Sequence, residues 1–337
     1  MKITLIGFGS IGQSFIQLLQ SQAYDIAHNH GIYPKIIAIV DRGGAVTDPI
    51  QINYQKALEA KQKHGSVSFI EKGGIKGSRT KEIIEESDAD VVIEASSTNF
   101  QDGEPALTHI KTALKNKIHV ITTNKGPLAV AMPALMELAK YNNVKLGFSG
   151  TVGGGTPFLS FAKKCLVGNP IRTIRGVLNG TTNYILTRMF DEEMPLEAAL
   201  AEAQKLGYAE TDPSNDLEGV DAACKLVILA NYIMDRRVSL KDVQINGITG
   251  VTLKKMCEAK KDGKIIKLIG SIGENLNVQP AAIPKSHPLN VSGALNSVLF
   301  DTTYSGEITI VGKGAGGVET ASAVLRDLID IKKASLL

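Results

Sequence analysis

Tryptophan is absent, and Phe, Tyr and Trp together make up only 5% of the chain. With so few rings, the core has to be built from aliphatic side chains. Cysteine is scarce as well: Cys165, Cys224 and Cys257 stand far apart. That spacing excludes a paired-cysteine metal motif and a disulfide framework, and fits reduced thiols in the cytoplasm. There is little charge imbalance: 37 Lys and Arg against 34 Asp and Glu leave +3. With no basic cluster to track phosphates, no nucleic-acid partner is expected. The longest apolar run, near Leu226 to Met234, is too short to cross a bilayer, so no membrane association is expected. Met1 to Ile6 enters a strand at once, leaving no room for a signal peptide. Internal repeats and low-complexity segments are lacking.

What is present fits a soluble globular enzyme. The 337 residues are 43% hydrophobic and 21% charged, enough for a large core and two domains. The 33 glycines imply many tight loops.

Lys2-Ile-Thr-Leu-Ile6 reads as a buried parallel strand, followed directly by Gly7-Phe-Gly-Ser-Ile-Gly12 and a helical pattern from Gln13 to Gln22. This is a G-x-G-x-x-G motif between strand and helix, the context a dinucleotide fingerprint needs. Gly7 permits the tight turn, Gly9 lets backbone N–H groups approach a pyrophosphate, and Gly12 lets helix and strand pack closely. Phe8, Gly9, Ser10 and Ile11 are therefore candidate cofactor contacts, with the helix N-terminus adding favourable partial charge.

A second strand, Lys35 to Val40, ends at Asp41-Arg42. Asp41 suits the ribose hydroxyls of NAD, whereas Arg42 suits the 2′-phosphate of NADP. Asp41 comes 41 − 12 = 29 residues after Gly12, so an extra helix or loop is expected around Tyr24 to Pro34. The choice of coenzyme stays open, with Arg42 favouring NADP. Ala89 to Ala95 is a third strand, and Ser96, Ser97 and Thr98 follow at its carboxyl end, where such sheets line the cofactor crevice. Another strand, Lys117 to Thr122, ends in Thr123-Asn-Lys-Gly-Pro-Leu-Ala129, so Asn124 and Lys125 point at the same crevice. His119 lies within that strand and reads as a packing residue.

Thr151-Val-Gly-Gly-Gly-Thr-Pro157 is a second glycine-rich turn, either an anion site, a curl of carbonyls for a monovalent cation, or a plain turn. A strand over Ile171 to Leu178 leads into the polar loop Asn179-Gly-Thr-Thr-Asn-Tyr184 and a helix. Late in the chain, Gly306 to Val311 meets Gly312-Lys-Gly-Ala-Gly-Gly317, and a last helix spans Glu319 to Ile329. A glycine turn and helix there suggest a return to the cofactor domain, with Gly316 near the dinucleotide.

Between these parts lies Gly207-Tyr-Ala-Glu-Thr-Asp-Pro-Ser-Asn-Asp-Leu-Glu-Gly-Val-Asp-Ala-Ala-Cys-Lys225, with five acids and one base. Pro213 bars an earlier helix start, and Ser214 or Asp216 is placed to cap a helix running through to Ala230. On that helix Asp221 and Lys225 are four apart and share a face. Taken by itself the stretch reads as a capped helix start with an ordinary ion pair, since exposed pairs are common and weak. An acidic loop for a substrate ammonium, beside a lysine able to protonate its oxygen, is the functional reading.

Together the motifs Gly7–Gly12, Thr123–Ala129, Asn179–Tyr184, Gly207–Pro213 through Asp216, Asp221 and Lys225, and Gly312–Gly317 resemble homoserine dehydrogenase over nearly the whole chain. The resemblance implies an α/β fold: a Rossmann-type dinucleotide-binding domain (1–143 and 302–337) plus an α+β dimerisation and substrate domain (144–301), whose sheet continues across a homodimer. It implies NAD(P)-dependent interconversion of L-aspartate 4-semialdehyde and L-homoserine, a step toward threonine and methionine. The amino acid is then placed near Thr181, Tyr208, Glu210, Asp216, Asp221 and Lys225, with Lys125 close to the reacting carbon. Where the family pattern carries a glutamate linked to a sodium-type cation, this chain has Ser149, leaving the carbonyls of Val152, Gly154 and Thr156 as ligands. No appended regulatory domain or fused kinase is expected.

On this reading Lys225, held by Asp221 and Asp216, protonates the alkoxide that hydride transfer creates. Lys125 is the runner-up for that role. The rivals are another Rossmann-type dehydrogenase of amino-acid aldehydes or hydroxy acids, and a nucleotide-sensing protein without catalysis. A phosphorylating semialdehyde dehydrogenase needs a cysteine nucleophile, and the three cysteines sit in apolar, helix-like surroundings. A sensor has no need for Lys125, Lys225 and the clustered acids.

Overall fold

The computed structural model describes residues 1–77 and 79–334. In chain order it contains β1 (Lys2–Ile6), α1 (Ser10–Ser21), α2 (Ala23–His30), β2 (Lys35–Asp41), β3 (Gly44–Thr47), α3 (Tyr54–His64), β4 (Gly74–Lys76), α4 (Thr80–Glu86), β5 (Val91–Glu94), α5 (Ala106–Lys115), β6 (His119–Thr122), α6 (Lys125–Tyr141) and β7 (Leu146–Gly147). These are followed by α7 (Phe158–Cys165), β8 (Ile171–Val177), α8 (Gly180–Asp191), α9 (Leu196–Lys205), α10 (Ser214–Leu217), α11 (Val220–Ile233), β9 (Val243–Ile245), α12 (Leu253–Lys261), β10 (Lys264–Ile272), β11 (Leu276–Pro284), β12 (Leu295–Thr302), β13 (Gly306–Lys313) and α13 (Gly317–Ala334). The chain divides into two compact units, Met1–Thr151 with Gly316–Leu337, and Val152–Ala315.

In the first unit, β1 is buried from Ile3 to Ile6, so both of its faces are covered, Thr4 included. It lies between parallel β2 and β5 in a seven-stranded sheet of order β4-β3-β2-β1-β5-β6-β7. The register sets Ile6 opposite Val40 on one side and Glu94 on the other. The turn after β1 is thereby placed between the ends of β2 and β5, where the strand order reverses and such sheets bind ligands. The antiparallel edge strands β3 and β4, separated in the chain by α3, were not foreseen: they have 4 and 3 residues, too short for a periodic signal. The long interval before Asp41 is filled by α2, ended by Gly31 in the left-handed region. His119 is structural as expected: its Nδ1 accepts from the Lys145 backbone N–H at 2.9 Å.

Helix α13 packs beside α1 in this unit. Its buried Asp327 accepts from the Ser149 backbone N–H at 2.8 Å and the Ser149 hydroxyl at 2.5 Å. Burial raises the Asp327 pKa to about 6 against these two hydrogen bonds.

The second unit is built on a six-stranded sheet of order β13-β12-β8-β10-β11-β9, antiparallel except where β11 meets β9. Helices α8, α11 and α12 pack on β10. Strands β12 and β13 extend this sheet through β8, so the chain rejoins the first unit at Gly316 rather than near residue 302. At the other crossing, β7 pairs with β6, which keeps residues 144–151 with the first sheet.

The acidic stretch does not run into one helix. Gly219, with φ +87°, closes α10 after a single turn, and α11 starts afresh at Val220. Neither Ser214 nor Asp216 caps a helix through its side chain. Leucine, valine and alanine then bury α11 from Asp221 to Asn231.

Candidate active site

The first unit carries a cleft of about 440 Å³ at the carboxyl ends of β1, β2 and β5. Gly7 takes φ +94°, and a Cβ there would lie 2.3 Å from the Ala95 carbonyl oxygen. A Cβ on Gly12 would lie 2.3 Å from the Gly7 carbonyl oxygen, whereas Gly9 faces open space. The glycines therefore leave a backbone cradle at the start of α1, with Ser10 and Ile11 as its first helical residues. This is the shape a pyrophosphate needs. Phe8, Gly9, Asp41, Arg42, Ser96 and Ser97 all line the cleft.

Asp41 has a different employment from the one its position suggested. Its carboxylate accepts from Lys61 Nζ at 2.9 Å, Ser66 Oγ at 2.7 Å and the N–H groups of Val67 and Gly43 at 3.1 and 3.0 Å. Burial alone would push this carboxyl up, but Lys61, Ser66 and the two N–H groups outweigh it and hold its pKa below the usual value. With both oxygens engaged, Asp41 anchors Lys61 at the cleft. Lys61 was missed because nothing in the exposed pattern of α3 distinguishes it from its neighbouring lysines. Arg42 donates to the Ser97 hydroxyl at 2.9 Å, also on the cleft wall.

Thr98 follows in the same loop after β5. Asn124 caps α6 by accepting from Gly126 N–H at 3.1 Å, and its amide reaches the carbonyls of Ser96 and Ser97 at 3.3 and 3.2 Å. Lys125 opens α6, its ammonium 6.0 Å above the Phe100 ring. Gly316 precedes α13 in the same unit.

In the second unit, α8 and α11 bring the central polar residues together. Asn179 caps α8 by accepting from Thr182 N–H at 2.8 Å. Its amide donates to Asp216 Oδ1 at 2.6 Å and Asp221 Oδ2 at 2.9 Å. Asp221 Oδ2 lies 2.7 Å from Lys225 Nζ, and the same ammonium donates to the Leu178 carbonyl at 2.7 Å. Lys225 is only 7% exposed and Asp221 8%, so this pair is not the solvated surface pair the stretch suggested by itself. Burial, and next the Asp221 charge, raise the pKa of Asp216, opposed by Asn179, Lys225 and Thr181. Thr181 donates to the Tyr208 carbonyl at 2.7 Å, tying the start of the acidic loop to α8. The Tyr208 ring, half exposed, stands 4.8 Å from that of Tyr184. Glu210 remains outside this network, exposed after α9.

Two groups of this network went unassigned from sequence. The helix-capping rule marks Asn179, but its bonds to two distant carboxylates require the fold. The Leu178 carbonyl carries no side-chain signal at all.

The turn proposed for a cation, with Val152, Gly154 and Thr156, lies in the second unit. It does not fit an ion well. The Thr156 carbonyl already accepts from Phe158 N–H at 2.9 Å, and Ser149, where the resemblance called for a glutamate, donates to Asp327 instead. Among the described residues no group of three His, Cys, Asp or Glu side chains is arranged for a metal. The cysteines are free, and Cys165 is exposed rather than buried in apolar surroundings.

Residues 7–149 match the family model described as homoserine dehydrogenase, NAD binding domain, and residues 157–329 the one described as homoserine dehydrogenase. The chain is 45% identical to a homoserine dehydrogenase of Methanocaldococcus jannaschii over 98% of both chains. It is 35% identical to the NAD(+)-dependent homoserine dehydrogenase of Pseudomonas canavaninivorans, covering 99% of this chain and 97% of that one. A solved hyperthermophilic archaeal homoserine dehydrogenase in complex with NADPH is similar with a TM-score of 0.86 and 29% identity, covering 99% of this chain and 98% of that one.

Proposed function

The chain belongs to the homoserine dehydrogenase family, and on that premise we propose how its residues divide the work. The enzyme is an NAD(P)-dependent oxidoreductase acting on a CH–OH group, interconverting L-homoserine and L-aspartate 4-semialdehyde. The dinucleotide, when bound, supplies or takes up the hydride. The observation that carries the assignment of roles is the buried Asp221–Lys225 pair, whose ammonium is held by two acceptors.

An ammonium has three N–H donors. On Lys225 two of them point to Asp221 and Leu178, leaving the third for the substrate oxygen. In aldehyde reduction Lys225 donates that proton to the developing alkoxide; in alcohol oxidation it takes the proton back. Asp221 aims the ammonium. Asp216, with Glu210 and Thr181 near the mouth of the loop, receives the substrate ammonium. Lys125, at the start of α6, is the second cation available to stabilise the alkoxide.

In the first unit the Gly7–Gly12 turn receives the pyrophosphate. Arg42, with Lys61 held by Asp41, receives the phosphate that distinguishes NADP from NAD, and Ser96, Ser97, Thr98 and Asn124 shape the opposite wall. Arg42→Ala is expected to lower kcat/KM for NADP by roughly ten-fold or more while changing the value for NAD far less, since a charge-assisted phosphate contact contributes about 1.5–3 kcal/mol. Parallel assays with the two coenzymes check this; equal losses with both would remove Arg42 from coenzyme choice.

We also propose a cytoplasmic homodimer. Among the described strands β13 pairs only with β12, so its outer edge offers unpaired N–H and C=O groups to a second copy. A monomer mass by light scattering at micromolar concentration would rule this out.

A further inference from the structure

The Leu178 carbonyl lies just past the last β8 pairing, Val177 with Ser297, so no ladder hydrogen bond holds it. Two side chains hold it instead: Lys225 Nζ at 2.7 Å and the Asn296 amide at 2.8 Å. Asn296 sits on β12 opposite Gly312 of β13 and is 1% exposed. Its Oδ1 is buried with no hydrogen-bond partner. An orphaned buried acceptor is destabilising, so stability alone does not account for an asparagine among the Val298, Leu299 and Phe300 of this strand.

The glycine-rich turn after β13 conforms to this side chain. A Cβ on Gly314 would lie 2.1 Å from Asn296 Cγ and 2.2 Å from both its terminal atoms. The backbone of that turn is therefore seated directly on the Asn296 amide, and a glycine is required there for a steric reason unrelated to phosphate binding.

We propose that Asn296 is a positioning residue for proton transfer: it fixes the Leu178 carbonyl, and that carbonyl, with Asp221, aims the Lys225 ammonium. The inference rests on the assignment of Lys225 as proton donor. Asn296 touches neither substrate nor reacting atoms in this scheme; it acts through one carbonyl. The charged groups facing Lys225 are Asp221 on α11 and Asp216 on α10.

The test uses the full-length enzyme with Asn296→Ala, Asn296→Asp and Lys225→Ala, each normalised to the fraction of protein that binds dinucleotide. Asn296→Asp keeps the shape but removes the N–H donor. Both Asn296 variants are expected to lose roughly ten-fold or more in kcat, the scale on which small misplacements of a reacting group act. KM for the dinucleotide should stay within about two-fold, because the loss lies in the chemical step.

Normal kcat in both variants would overturn the proposal. So would a loss confined to Asn296→Ala, which would assign the residue to packing alone. Lys225→Ala separates the two levels of the argument. If it retains turnover, the reading of Lys225 fails; if it is inactive while the Asn296 variants are normal, only the positioning role fails.

Discussion

Lys225→Ala is expected to lower turnover by roughly 10²-fold or more in both directions, the usual contribution of a general acid–base group. The dinucleotide KM should barely move, because Lys225 belongs to the second unit while the glycine cradle, Arg42 and Lys61 belong to the first. Lys225→Arg makes the sharper version. It keeps the positive charge beside Asp221, yet a guanidinium does not release its proton in this pH range. If charge alone were needed, Lys225→Arg would be nearly normal; if proton transfer is needed, it stays slow. Steady-state rates for homoserine oxidation and semialdehyde reduction decide it, and near-normal turnover of Lys225→Ala would reject the mechanism.

The second large effect concerns stability and a lysine that the chemistry does not use. Lys267 on β10 is fully buried, and its ammonium donates to Asn183 Oδ1 at 2.8 Å, Thr187 Oγ1 at 3.1 Å and the Val291 carbonyl at 2.7 Å. Asn183 in turn donates to the carbonyls of Val291 and Leu295 at 3.1 and 3.0 Å. One amine thus ties α8, β10 and the segment before β12 together. Lys267→Met keeps the stem but leaves Asn183 Oδ1 without its donor and takes one donor each from Thr187 Oγ1 and the Val291 carbonyl, at an expected cost of roughly 3 kcal/mol near pH 7. For a unit of this size that is a fall in Tm of roughly 6–12 °C.

The effect is also pH-dependent. Burial lowers the Lys267 pKa from 10.5 to about 8. Between those values the unfolded chain carries a proton that the folded chain has lost, so this group adds stability as pH rises from about 8 to 10.5. The gap between the native protein and Lys267→Met should therefore widen over that window in denaturant titrations. A constant gap would mean that Lys267 titrates normally.

Much of the first unit was legible in the residues. Gly7, Gly9 and Gly12 stand in sequence where the backbone needs them in space, because a turn of this kind is local and its sterics involve only the strand end and the helix start. The same holds for His119, whose place in a buried strand fixed its role. Asp41 was only half legible for a related reason. Its position at the end of β2 follows from local pattern, but its partners Lys61, Ser66 and Val67 come from a helix and turn 20 to 26 residues later. Nothing local announces that a carboxylate is already satisfied. The division of the acidic stretch into two helices turned on Gly219 at φ +87°, a break that the helical pattern on either side concealed.

By itself the sequence determined the main strands and helices around the glycine turn, the cradle for a dinucleotide, and the four-residue spacing that puts Asp221 and Lys225 on one helix face. These follow from short-range geometry, which the chain cannot avoid. Whether that pair is a weak surface contact or a buried, oriented one was decided only by tertiary structure. Packing α11 on the second sheet excluded water from Lys225, and the strands β8 and β12, far apart in sequence, supplied the Leu178 carbonyl and Asn296. Burial and long-range hydrogen bonds are collective properties of the folded chain, so no single stretch can carry them.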